Sequence, residues 1–325
     1  MIAITGATGL IGSFLVKRLL QDGVPFVAIK RADSDLSYFA DVAKAITWRD
    51  ADVLDEVKLE EAFEGCDTVI HAAALVSFNP RHKAKLFDIN ALGTRKVVNT
   101  CLNMGIKKLI YLSSVSALGR NKKVKVVDES AQWTNSSLNT YYGESKYLAE
   151  LEVWRGSEEG MDVAIINPSV VLAPGNWDKS SAKIFKYVWQ EKPFYTTGTF
   201  NYVDVRDLVE IIVKACQGAV NGERIIANAG QISYRDFLCM AAQHFNKRAP
   251  SIKIGAGLIY VVAAFEQVRS RITGSDPIIT PETARLAHAS TFFDNSKIKR
   301  ALGFDFRSLE DTLQWCSNKY AEQLA

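Results

Sequence analysis

Tyr142 and Lys146 stand four residues apart in Tyr142-Gly143-Glu144-Ser145-Lys146, and the residues that follow, Tyr147 to Leu151, read as helix. Positions i and i+4 share one helix face, so an ammonium can sit near a phenol. A neighbouring cation favours phenolate and lowers a tyrosine pKa from its reference near ~10. Such a tyrosine is suited to general acid/base work near neutral pH. Of the eleven tyrosines, only Tyr142 has a lysine four residues on. Ser114 ends the run Leu109-Ile110-Tyr111-Leu112-Ser113-Ser114. A hydroxyl at the carboxyl end of a strand can hydrogen-bond a carbonyl oxygen as negative charge develops on it. Alone, a Ser-Ser pair reads as strand-ending turn chemistry. Joined to Tyr142 and Lys146, it reads as the third member of a set that handles a proton and an oxyanion.

A second motif supplies what such a set would act with. The first apolar run leads directly into Thr5-Gly6-Ala7-Thr8-Gly9-Leu10-Ile11-Gly12. The glycines have G-x-x-G-x-x-G spacing and open a helix. Gly6 permits a tight turn, Gly9 lets the backbone approach a pyrophosphate at the positive helix end, and Gly12 lets helix and strand pack closely. The next apolar run, Phe26–Ile29, ends in Lys30-Arg31. A domain built for NAD(H) places an acid there for the ribose hydroxyls. Two cations instead attract a 2′-phosphate. Alone they would be a solvated surface pair. With the acid missing, they favour NADP(H), with NAD(H) as the alternative.

Elements must carry these residues to one place. The short apolar runs Met1–Ile4, Phe26–Ile29, Thr68–Ala74, Lys108–Leu112, Val163–Ile166 and Arg224–Ala227 are nearly continuous, as in strands buried on both faces. Helical patterns lie between them; in the first, Leu10, Ile11, Leu15, Val16, Leu19 and Leu20 share a face and Gly23 closes it. Alternating strands and helices imply an α/β fold: a Rossmann, doubly wound parallel sheet. After about Pro168 the pattern loosens. We expect residues 1–168, with 201–229 returning to them, to form the dinucleotide-binding domain, and residues 169–200 and 230–325 a smaller, discontinuous substrate lobe.

Bulk composition narrows the classes. The 325 residues carry a net charge of +3, too small to argue for nucleic acid or an anionic membrane as main partner. The five cysteines are scattered with no CxxC pair, so we expect reduced thiols, no metal site and a cytoplasmic protein. The opening Met1-Ile2-Ala3-Ile4 has no basic stretch before its apolar residues and no cleavage site after them, so we expect no signal peptide. The longest apolar run, Gly255 to Phe265, is short of the ~20 residues of a membrane span. We expect a buried or pocket-lining helix there in preference to membrane contact, because amphipathic surface helices carry a more basic polar face.

On these motifs the sequence resembles the extended (atypical) short-chain dehydrogenases/reductases of the NAD-dependent epimerase/dehydratase superfamily. Within it, the chain is most similar to the dihydroflavonol-reductase-like and 3β-hydroxysteroid-dehydrogenase-like branch. Thr5–Gly12 resembles the cofactor fingerprint, and Ser114 with Tyr142-x-x-x-Lys146 the catalytic triad. Asp52-Val53, His71-Ala72-Ala73-Ala74, Asn90-x-x-Gly93-Thr94, Asn167-Pro168-Ser169 and Val203-Asp204-Val205-Arg206-Asp207 match further pieces. The resemblance implies that Lys146 also holds the nicotinamide ribose, that Asp52 and Val53 contact adenine, and that Ala72, Ala73 and Ala74 line the cofactor. It further implies that Pro168, Val170 and Val171 lie near the nicotinamide, with Thr8, Leu10 and Ile11 in the loop that holds the phosphates. Asn90 and Asp207 are expected to serve backbone hydrogen bonds only.

Departures from the family pattern point to a reaction. Family sugar dehydratases follow the catalytic hydroxyl with Asp-Glu; here Val115-Ser116 follows Ser114. Nucleotide-sugar epimerases carry an arginine that grips the substrate phosphates, and Phe200 stands at that place. Burying a diphosphate without a cation is costly. Simple reduction or oxidation remains, with a nucleotide-sugar epimerase and a non-catalytic NADP(H) sensor as alternatives. Val76, Phe78, Val115, Trp177, Phe200 and Leu258 are expected to line a pocket for an apolar, ring-containing substrate; single aromatics are also common core residues. The chain is expected to act as a monomer or homodimer on a small molecule.

Overall fold

The computed structural model describes the chain apart from residues 122–123, 179, 278 and 325. Seven strands form the main sheet: β1 (Ile2–Thr5), β2 (Phe26–Lys30), β3 (Trp48–Asp50), β4 (Thr68–His71), β5 (Lys108–Leu112), β6 (Asp162–Pro168) and β7 (Glu223–Ala227). Their order is β7-β6-β5-β4-β1-β2-β3, and every neighbouring pair is parallel. The order reverses between β1 and β4, which opens a crevice at their carboxyl ends. Helices cover both faces, over two separate apolar clusters. The strands are continuous apolar runs because both their sides are buried; all five residues of β5 are buried.

Of the strand boundaries that differ from the sequence reading, two matter to the site. β4 stops at His71, not at Ala74, because the chain leaves the sheet there to cross the glycine loop. β6 continues to Pro168, which carries Asn167 to the crevice.

The later residues add a three-stranded sheet, Val170–Leu172, Thr199–Asp204 and Gly230–Ser233. It packs with helices Tyr234–His244 and Leu309–Leu324 around an aromatic cluster of Phe185, Phe200, Phe237, Phe245 and Tyr320. The run expected to be a buried or pocket-lining helix is indeed helical, over Ala256–Thr273. Its apolar side, including Leu258, faces outward, because only Ile259, Ala263, Glu266 and Ser270 are buried.

Candidate active site at the carboxyl edge of the sheet

The glycine loop is held by backbone geometry alone. Gly6 has φ +69°, and a Cβ built on it would lie 2.5 Å from the Ala73 amide nitrogen. Only glycine lets the segment after β4 cross so closely. A Cβ on Gly12 would lie 2.2 Å from the Gly6 carbonyl oxygen. The helix that follows, Leu10–Gln21, has no side-chain cap and no acid in its first turn. Its first amides and positive end thus face the crevice without an internal anion, which fits a bound dinucleotide diphosphate.

The segment over the loop is tied down by buried polar groups. Thr94 Oγ1 donates to the Asn90 carbonyl (2.6 Å), so it accepts from His71 Nε2 (3.0 Å). His71 Nδ1 then accepts from Thr5 Oγ1 (2.7 Å), which in turn accepts the Ala73 amide at 3.4 Å. Burial lowers the His71 pKa to about 3, so the imidazole stays neutral and its tautomer fixed. Asn90 binds both the Leu75 amide (2.8 Å) and carbonyl (2.9 Å) and also Ser145 Oγ (2.9 Å), a side-chain link beyond the expected backbone role. Asp207 likewise takes both the Arg307 amide and its guanidinium.

Beyond the end of β5 the Ser114 hydroxyl lies near the Tyr142 phenol and favours its ionised form. Ser114 Oγ caps the turn after the strand, accepting the Ser116 amide at 3.1 Å. Tyr142 sits in the first turn of helix Tyr141–Glu158, which Thr140 caps through the Gly143 amide (3.0 Å). Phe78 meets the Tyr142 ring edge-on, with centroids 5.9 Å apart.

Lys146 lies one turn further along the helix, fully buried, but it does not do what its spacing implied. Its Nζ donates to the Leu112 carbonyl (2.7 Å) and stands 4.2 Å over the Tyr111 ring. The side chain reaches inward to β5 and not out to the phenol. Burial therefore dominates at Tyr142 and pushes its pKa up to about 12, against the opposing pull of the nearby Ser114 hydroxyl. Burial also lowers Lys146 to about 7, with Glu150 pulling the other way. The expected depression of the tyrosine pKa by Lys146 is thus reversed in this arrangement.

Glu150, one turn beyond Lys146, is the residue the sequence reading missed. Its buried carboxylate accepts from Ser113 Oγ (2.5 Å) and Asn167 Nδ2 (2.6 Å), with the Arg224 guanidinium at 3.3 Å. Burial raises its pKa against these partners. The signal was the continuation of the same stripe, 142, 146, 150, at helical spacing.

The other expected residues scatter. Lys30 pairs with Asp50 at 2.5 Å and Arg31 with Asp33 at 3.4 Å, so each cation at the end of β2 already has a carboxylate. Asp52 is exposed, its carboxylate accepting the Leu54 amide (2.9 Å), and Val53 packs against Gly93. Ala74, Val76 and Val170 are exposed, Pro168 ends β6, and Val171 joins the apolar core. Three pocket assignments need correction. Phe200 is buried against Phe237 (4.0 Å) and Tyr234 (5.2 Å). Trp177 packs edge-on against Tyr320 (4.7 Å) and Trp189 (5.4 Å). Val115 is buried with Leu118, Val127, Ile226 and Phe293. All three side chains turn into apolar clusters, so Phe200 says nothing about phosphates in the crevice.

Residues 2–230 match the family model described as the NAD dependent epimerase/dehydratase family. The chain belongs to that family. It is 28% identical over 327 residues to a Synechocystis protein named as a dihydroflavonol 4-reductase, covering 97% of this chain and 94% of that one. It is 26% identical over 306 residues to Sterol demethylase protein B of Methylococcus capsulatus, covering 92% of each. Among solved structures, gox2253 superposes with a TM-score of 0.83 at 27% identity, covering 100% of this chain and 98% of that one. The family member described here is accordingly an NAD(P)-dependent oxidoreductase of the extended short-chain type.

Proposed function

We propose that this enzyme reduces an apolar, ring-containing ketone or aldehyde with NADPH, or oxidises the matching alcohol. One observation carries the reading: a partly buried tyrosine phenol, kept protonated, beside a serine hydroxyl at the end of the strand next to the glycine cradle. Bound NADPH supplies the hydride to the carbonyl carbon. Ser114 accepts the Ser116 amide, so its one O–H can turn from the phenol to donate to the carbonyl oxygen. Tyr142 is the only other hydroxyl in that pair, and its phenol, held protonated by burial, gives its proton to the oxygen as charge develops. A phenol at about 12 is still a far stronger acid than the alcohol it makes. The dry environment therefore suits the reducing direction. Lys146 and Glu150 lie beneath the pair; in this reading Lys146 holds the nicotinamide ribose and Glu150 keeps the strand ends in place.

Preference for NADPH is supported by the absence of an acid at the end of β2 and by Lys30 and Arg31 beside it. A 2′-phosphate would take Lys30 from Asp50 by offering it a denser negative charge. The carbonyl-reductase reading is also supported by the names of the relatives above, one a reductase and one acting in sterol demethylation. The test is NADPH consumption across a panel of cyclic ketones, aromatic aldehydes and sterol ketones, beside thermal shift with UDP-glucose, UDP-galactose and GDP-mannose. Turnover of a panel member with no sugar-nucleotide shift is the expected result. A clear shift with a sugar nucleotide and no turnover would replace this reading with the epimerase one.

A further inference from the structure

Helix Ala256–Thr273 breaks the rule that apolar side chains face inward. Leu258, Val261, Phe265, Val268 and Ile272 are 56%, 65%, 68%, 54% and 80% exposed. At 3.6 residues per turn they fall within an arc of about 80°. Ile259, Ala263, Glu266 and Ser270, on the opposite side, make the packed face. Phe194 and Ile252, on the two-stranded ladder leading into the helix, are exposed as well. Among the described residues no helix is long and apolar enough to cross a membrane, so this stripe is a surface and not a span.

We propose that this stripe docks the protein on an anionic lipid surface, lying in the interface with its apolar arc among the acyl chains. Charge supports that occupant. Residues 247–274 hold five basic residues and one acidic residue, Glu266, which is buried and bound by Arg269 at 2.8 Å. Arg248 is engaged by Glu191 at 3.2 Å. Lys253 and Arg271 flank the stripe at its two ends, both exposed, and make no ion pair among the described residues. Interfacial helices have this form: an apolar face with cations at its edge that meet lipid phosphates. A second copy of the chain fits less well. A helix of this length is about 27 Å long and about 10 Å across. Two such faces bury roughly 500 Å², under half of the ~1,200 Å² at the low end of stable interfaces. Pairing them would also bring Lys253 and Arg271 toward their own copies.

The stripe is joined to the crevice. Arg81 donates to Ser270 Oγ (2.7 Å) and to the Ser275 carbonyl (3.1 Å), and Asn79 binds Asp276 at 2.7 Å. The same segment carries Phe78, which edges Tyr142. Docking would hold this wall of the crevice next to lipid, the phase in which an apolar carbonyl dissolves. The docking itself does not rest on the reaction proposed above.

The experiment is co-sedimentation of the full chain with phosphatidylcholine vesicles, with and without phosphatidylglycerol, beside light scattering without lipid. Wild type should bind the anionic vesicles. Phe265→Glu should lower partitioning by about tenfold or more, from loss of an inserted ring. Lys253→Glu with Arg271→Glu should lower it on anionic vesicles alone. The melting temperature and NADPH affinity should be unchanged in both, which separates this result from misfolding and from the catalytic reading. Failure of wild type to bind either vesicle, or equal binding by Phe265→Glu, would overturn the proposal. So would a lipid-free wild-type dimer that Phe265→Glu splits, since a second copy would then cover the stripe.

Discussion

Two helices of eighteen residues each follow opposite rules. Tyr141–Glu158 takes charge inside: Lys146 and Glu150 are both buried, with Ser145 between them. Ala256–Thr273 leaves apolar surface outside, with five large apolar side chains of one stripe in the open. Each arrangement costs stability in water, through desolvated ions in the first and unburied apolar surface in the second. The difference between them lies in compensation. The first helix has its partners within the protein: the Leu112 carbonyl, Ser113, Asn167 and Arg224. The second has none for its outer face. A buried cluster whose charges find partners inside the protein points to chemistry done inside; an unpaired apolar stripe points to a contact made outside.

The comparison can be tested in the region around either helix. The largest effect should come at the inner one: Ser114→Ala removes the donor to the developing oxyanion and should lower kcat by about 10²–10³ with the substrate panel. A smaller loss than tenfold would mean that Ser114 only caps its turn. Next, the two aromatic positions should respond in opposite ways to truncation. Phe200→Ala opens a hole among Tyr234 and Phe237 and should cost about 3–5 kcal/mol in denaturant unfolding. Phe265→Ala should stay within about 0.5 kcal/mol of wild type, because the ring touches solvent. Equal losses would show that the outer stripe is packed in solution. The smallest effects concern the cofactor. Lys30→Ala should weaken NADPH binding by about tenfold and leave NADH unchanged, by calorimetry. Asp50→Asn, which frees Lys30, should tighten NADPH by a few-fold. Equal affinity of wild type for both cofactors would remove the NADP(H) preference.

Much of the inner region was legible because it rests on local constraints. A positive φ at Gly6, a helix start without a cap, and a four-residue spacing are properties of short segments, and they bring the loop, Ser114 and Tyr142 to one edge of the sheet. The aim of individual side chains was not local. Lys146 turns toward a carbonyl on β5, and Glu150 finds Asn167 and Arg224 on strands far along the chain. In the later residues, Trp177 meets Tyr320, and Phe185 meets Phe245, across long separations. Spacing within Thr199–Asp204 places Phe200 on a strand but does not say which sheet face becomes core. The outward face of Ala256–Thr273 was hidden for a different reason: an apolar run shows that burial is favourable, not that the chain itself supplies the cover.

In the proposed reaction Tyr142 moves the proton that accompanies hydride transfer. Tyr142→Phe removes one oxygen and keeps the ring that Phe78 packs against. Its turnover of a carbonyl that wild type reduces with NADPH should fall by about 10²–10⁴, with NADPH affinity and melting temperature preserved. Turnover within tenfold of wild type, at unchanged cofactor affinity, would contradict the assignment and leave the proton without a source among these hydroxyls.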